Sequence, residues 1–157
     1  MKPTVQQKQV QLDDLMPVIR QRLAAGHTVR FGPQGVSMLP MIRQGIDTVE
    51  FSPLPEKLKK YDLPLYQRDN GQYTLHRIIS VENGTYTCMG DNQFVPEPGL
   101  RQDQMIALVT AFWRGKRRHT THWWAYRLYC RLWHFSRPVR HFWRRGIGWL
   151  KRHISKT

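Results

Sequence analysis

Cysteine is scarce in this 157-residue chain: Cys88 and Cys130 are the only two, they share no CxxC spacing, and they lie in stretches of different character. A disulfide framework or a four-ligand zinc site finds no support in that pattern, and reduced thiols are expected. Long apolar runs are missing as well. No stretch approaches the roughly 18 uninterrupted apolar residues of a membrane-spanning helix, and positions 1–20 lack the apolar centre that a signal peptide carries. A cytoplasmic protein is expected on that basis. Acid is the third shortage, and it is local. Residues 1–113 hold 12 Lys and Arg against 11 Asp and Glu, whereas 114–157 hold 13 Lys and Arg and no acid, so nearly all of the net charge of +14 sits at the C-terminal end.

What is present suffices for one core. Hydrophobic residues make up 40% of the chain, with six each of Trp, Tyr and Phe, which argues against wholesale disorder; the length suits one domain with an appendage. The charge asymmetry sets a boundary near Trp113, between a near-neutral body and a basic tail whose partner should be anionic. In the body, Asp13-Asp14 precede Leu15, Val18, Ile19 and Leu23, and Gly26 follows where a helix end favours a left-handed residue. That pattern predicts a short helix over about 14–25. Brief runs rich in Val, Ile, Tyr, Phe and Thr at 28–31, 48–51, 63–67, 73–81, 85–89 and 105–113 predict a mostly antiparallel β domain. Asp69-Asn70-Gly71 and Glu82-Asn83-Gly84 read as hairpin turns, and the proline-containing stretches 52–57 and 95–99 as loops. The expected organisation is mainly β: a short N-terminal helix within 1–26, a β domain over 27–113 and a basic amphipathic helical tail over 114–157.

Three fragments stand out for chemistry: Gly35-Val36-Ser37-Met38-Leu39-Pro40, then Leu75-His76-Arg77-Ile78-Ile79, then Met89-Gly90-Asp91-Asn92. Together with Gly45-x-Asp47-x-Val49, this ordered set resembles the S24/S26 serine peptidases, the superfamily of signal peptidases and LexA-type self-cleaving repressors, over roughly 28–113. The resemblance implies that fold, a Ser37 nucleophile, and hydrolysis of a peptide bond in a leader- or signal-like segment. Bacterial signal peptidases and LexA-type proteins use a lysine base, whereas the archaeal and endoplasmic-reticulum type carry His at the position of His76, so the resemblance points to a Ser-His pair. It offers Asp91 first, and Glu97 second, as the acid that orients His76. Gly35 stands where signal peptidases often have a hydroxyl side chain in the oxyanion hole, which leaves that role to backbone amides.

The residue types suit this chemistry. A serine hydroxyl needs a base within about 2.6–3.2 Å, and imidazole, with an ordinary pKa near 6.5, can take the proton and return it to the leaving amine. Glycine at 35 lets the backbone turn tightly before Ser37, whose amide is a natural oxyanion donor. No metal or organic cofactor is required. Cys88 alternates with Tyr86 in a strand and reads as a packed small hydrophobe. Ala24-Ala25-Gly26 is similar to the Ala-Gly bond cut in LexA-type repressors, but Ser37 follows just 11 residues after Gly26, and a helix end accounts better for these small residues. The alternative to a working peptidase is a membrane-associated regulator, non-catalytic or self-cleaving, that keeps the fold.

On a wheel of about 100° per residue, 122–137 gathers Trp124, Tyr126, Leu128, Tyr129, Leu132, Trp133 and Phe135 on one broad side, opposite Arg127, Arg131, His134 and Arg137. After Pro138 a second wheel sets Val139, Phe142, Trp143 and Trp149 against Arg140, Arg144, Arg145, Lys151 and Arg152. Apolar side chains on one side and cations on the other describe helices lying in a membrane interface. An anionic membrane surface is therefore the expected partner besides the peptide substrate, with peripheral attachment through the tail. Nucleic acid ranks below it, because the aromatics segregate from the cations instead of interleaving with them. The competing expectation is that one apolar face packs on the β body.

Overall fold

The computed structural model describes residues 12–143. Leu12–Ala24 forms α1, whose Met16, Ile19 and Leu23 recur at helical spacing and are buried, while Asp13 and Asp14 sit in the first turn, where the helix dipole favours negative charge. The helix ends in a Schellman motif: the Gly26 N–H donates to the Leu23 carbonyl at 2.9 Å and the His27 N–H to the Arg22 carbonyl at 3.0 Å. Gly26 has φ +77°, a conformation that glycine reaches without a Cβ penalty.

Among the described residues nine strands follow: β1 (Val29–Phe31), β2 (Asp47–Ser52), β3 (Pro64–Gln67), β4 (Tyr73–Leu75), β5 (Arg77–Glu82), β6 (Thr85–Met89), β7 (Glu97–Leu100), β8 (Met105–Arg114) and β9 (Arg117–Thr120). One antiparallel sheet has the order β1-β2-β8-β3-β4, with β9 paired to β8; the second has the order β5-β6-β7. The fold is mainly β, as expected. Both predicted hairpins form, β3 with β4 and β5 with β6. In the second, Asn83 and Gly84 both have positive φ, as a tight two-residue hairpin turn requires.

The structure departs from the expectation at three places. The run 73–81 is two strands broken at His76, because β4 pairs in the first sheet and β5 in the second. The stretch 95–99, expected as a loop, contains the start of β7. That strand pairs only with β6, and an edge strand tolerates the missing N–H of Pro98. Sheet pairing also runs past Trp113: β9 is built from Arg117, Arg118, His119 and Thr120, inside the segment expected to be tail.

The central strand β8 is buried along most of its length and separates two cores. On one side Val49, Phe51, Leu65, Ala107 and Val109 pack with α1 and with Met38, Met41 and Ile42. On the other, Tyr66, Ile78, Cys88, Leu100, Met105 and Leu108 fill the space between the two sheets. Helix α2 (Trp124–Phe135) then closes the first core with Tyr126 and Cys130. After Ser136 a helical stretch resumes and runs from 137 to 143. Arg144, Arg145, Trp149, Lys151 and Arg152, expected to contact a membrane, lie outside the described residues.

Candidate active site

The Ser37 loop, 32–46, leaves the end of β1 and is pinned at both sides of Ser37. Gly35 has φ +93°, so the backbone turn there suits glycine. Its N–H donates to the Gln44 side-chain oxygen at 2.9 Å, which removes it as an oxyanion donor and leaves it the turn. Met38, next to Ser37, is 5% exposed and packs with Met41 and Ile42 in the main core. Asp47 closes the loop by accepting three hydrogen bonds from Arg43, at 2.8 to 3.0 Å, and these hold its carboxyl below the usual range despite burial.

Ser37 itself is half-buried. Its carbonyl accepts the Asn92 N–H at 2.8 Å, and the Asn92 side chain donates to the Val36 carbonyl at 3.2 Å. Gly90 lies so close that a Cβ there would stand 2.6 Å from the Ser37 carbonyl oxygen and 3.1 Å from the Ser37 Cβ. The Gly90-Asp91-Asn92 turn is thus the floor on which Ser37 rests. Among the described residues neither the Ser37 hydroxyl nor its N–H has a hydrogen-bond partner.

His76 occupies the single-residue break between the two sheets and is 3% exposed. Its Nδ1 lies 3.2 Å from the Tyr66 hydroxyl, which donates its one proton to Glu97 Oε2 at 2.7 Å. The tyrosine oxygen therefore accepts from His76, which puts the imidazole proton on Nδ1 and leaves the Nε2 lone pair free. Nε2 has no hydrogen-bond partner among the described residues, the Ser37 hydroxyl included. Glu97 is fixed in turn by two hydrogen bonds from Arg68, at 2.7 and 2.8 Å. Burial would raise its carboxyl, but the bonds from Arg68 and Tyr66 prevail and hold it below the ordinary value. Burial also pushes the Tyr66 phenol up, so it stays protonated. Burial first, and the Arg68 charge second, push the His76 imidazole down to about 4, so it is neutral around pH 7.

Asp91, ranked ahead of Glu97 at the sequence level, has its carboxylate elsewhere. Both oxygens accept from Arg77 at 2.8 Å, in a pair that is almost fully buried. The carboxylate that faces His76 is Glu97, 3.9 Å from Nδ1 and linked to it through Tyr66. No motif marked Tyr66, Arg68 or Arg77 as functional; Arg77 was visible only as the neighbour of His76. Cys88 is fully buried, and burial with the nearby Glu97 charge pushes its thiol up to about 12, so it is an inert packing group at neutral pH.

A cleft of about 360 Å³ is lined by Phe31, Phe51, Leu65, Tyr73 and Leu75 together with Leu12, Asp13, Pro33, Gln34 and Gln72, so its wall mixes apolar and polar groups, and neither Ser37 nor His76 is part of it. Strands β1 and β4, the two ends of the first sheet's order, both border it, and each leads into the site: β1 runs into the Ser37 loop and β4 into His76. An edge strand offers unpaired backbone groups to an extended peptide. No protein-family model matches the chain, and no curated protein or solved structure matches it.

Proposed function

We propose that this protein is a serine endopeptidase of the S24/S26 type, acting on an extended, apolar, leader-like peptide segment. The observation that carries the reading is the chain Glu97–Tyr66–His76, which selects the Nδ1–H tautomer and leaves Nε2 as an open base, next in sequence to the Arg77 that grips the turn under Ser37. A substrate strand lies in the cleft between β1 and β4. Substrate binding brings the Ser37 hydroxyl to His76 Nε2; Ser37 Oγ then attacks the peptide carbonyl carbon as its proton passes to Nε2, and the backbone N–H of Ser37 steadies the oxyanion. The imidazolium that forms is stabilised by Glu97 through the Tyr66 hydroxyl. His76 then returns the proton to the leaving amine, and water hydrolyses the Ser37 ester with His76 again as base.

A self-cleaving reading gains nothing from the structure's geometry, since the Ala25–Gly26 bond is wound into the capped end of α1 and is not an extended strand. The test is to map newly formed protein N-termini in native cells carrying the wild-type chain or Ser37→Ala at equal abundance. Termini lost with the hydroxyl, and reduced about 10- to 100-fold in rate by Tyr66→Phe, support the peptidase. Termini unchanged by Ser37→Ala, under conditions where the gene matters, reject it.

A further inference from the structure

The sequence wheel shows one broad apolar side on the tail, but the structure divides it in two. Tyr126 and Cys130 are buried in the core, and the Trp133 indole N–H donates to the Asp91 carbonyl at 2.9 Å. Arg77 ties this inner face down, donating to the Tyr126 hydroxyl at 2.7 Å and to the Cys130 sulfur at 2.9 Å. A different face stays uncovered. Trp124, Leu128, Leu132 and Phe135 follow one another at spacings of four, four and three and are 45% to 75% exposed; Phe142 and Trp143 are 78% and 66% exposed in the next helical stretch.

At about 100° per residue these outward positions of α2 fall within a sector of roughly 80°, with the exposed Arg127 and Arg131 along one border. The chain has no Asp or Glu after Asp103. Two copies of this face would thus bring rows of cations together with no acid of their own helices between them. An anionic surface is the complement, and Trp and Phe rimmed by Arg suit the depth where headgroups meet acyl chains.

We propose that the outward face of α2 and of the helical stretch at 137–143 seats this protein on an anionic lipid bilayer, while the inner face bolts α2 to the body. The bilayer-bearing helix and the turn beneath Ser37 share direct bonds, from Trp133 and from Arg140, whose guanidinium donates to the Asp91 carbonyl at 3.2 Å and covers the Trp133 ring at 3.6 Å. If the peptidase reading holds, on which this last step rests, Ser37 works at a fixed height above the lipid and selects peptide bonds emerging there.

The experiment is co-sedimentation of the full chain with vesicles of phosphatidylcholine alone or mixed with phosphatidylglycerol. The wild type partitions onto the anionic vesicles and far less onto the neutral ones. Leu132→Glu with Phe135→Glu lowers binding at least about tenfold. Arg127→Gln with Arg131→Gln lowers it about thirtyfold, the factor corresponding to about 1 kcal/mol per cation near an anionic leaflet. All four positions are exposed, so near-ultraviolet circular dichroism should confirm an unchanged body. Ser37→Ala binds as the wild type does, which separates this result from any failure of the peptidase reading. Wild-type binding by the Leu132/Phe135 variant overturns the proposal. So does absence of vesicle binding, and if that comes with self-association abolished by the same substitutions, the face is covered by a second copy.

Discussion

The depressed basicity of His76 makes stability fall with acid in a defined window. In the unfolded chain the ring takes up a proton near pH 6.5; in the folded protein, burial and the Arg68 charge delay this until about 4. Between those values the unfolded state binds more protons than the native state, so folding stability is lost as pH falls from 6.5 and levels off below about 4. The ring is 3% exposed, so solvent screens the effect little. A displacement of that size corresponds to about 3 kcal/mol in full, of which about 2 kcal/mol is gone by about pH 5. Urea unfolding of the wild type and His76→Gln, each followed between about pH 7.5 and about pH 5, isolates this contribution. Other groups that titrate on unfolding, including the partly buried His134, whose pKa is also lowered by burial, are common to both proteins and cancel to first order. Glu97 reaches the ring through Tyr66, but it titrates below its ordinary value and so mostly under this window. The wild type should lose about 2 kcal/mol more than the variant on acidification. Equal losses, or a smaller loss in the wild type, would refute a buried neutral imidazole.

Two further outcomes test the floor under Ser37. Gly90→Ala places a methyl 2.6 Å from the Ser37 carbonyl oxygen, a backbone atom that cannot retreat without moving the loop. Peptidase rate should fall about tenfold or more while far-ultraviolet circular dichroism stays native; an unaltered rate would mean that the Ser37 position is not set by this turn. Arg77→Met removes both partners of the buried Asp91 carboxylate and should cost about 3–5 kcal/mol in urea unfolding, with a large part restored when Asp91→Leu is added. No rescue in the double variant would show that Arg77 acts mainly through its bonds to α2.

The elements that could be read from the sequence are those whose signal is local. The turns at 69–71 and 82–84, the end of α1 at Gly26 and most strand runs depend on neighbours within a few residues, and they formed where expected. What could not be read depends on distant partners. β7 contains Pro96's successor Glu97 and Pro98, and it is a strand because β6 offers an edge to it. β9 opens with two arginines and pairs because β8 extends far enough to receive it, with Arg118 bound to Glu50 across the sheet. The choice between Asp91 and Glu97 turns on which cation reaches which acid, and spacing does not encode that. Tyr66 lay unnoticed in a strand because a tyrosine in a half-buried sheet is ordinary; its role comes from standing 10 residues from His76 and 31 from Glu97.

The buried Arg77 explains why these distant choices are made together. Taking a guanidinium out of water costs several kcal/mol unless its donors are satisfied, and here they are. Nε and Nη2 hold Asp91, Nη2 also meets the Met41 sulfur, and Nη1 reaches the Tyr61 carbonyl, the Tyr126 hydroxyl and the Cys130 sulfur. Those acceptors come from the Ser37 loop, the segment before β3, the turn under Ser37 and helix α2. None of the four can shift alone without leaving part of a buried charge unpaired. Because Arg77 follows His76 directly, the imidazole inherits the same constraint, and both Asp91 oxygens are taken up by Arg77. The carboxylate that reaches the imidazole is instead Glu97 of β7, through the Tyr66 hydroxyl of β3 that spans the gap.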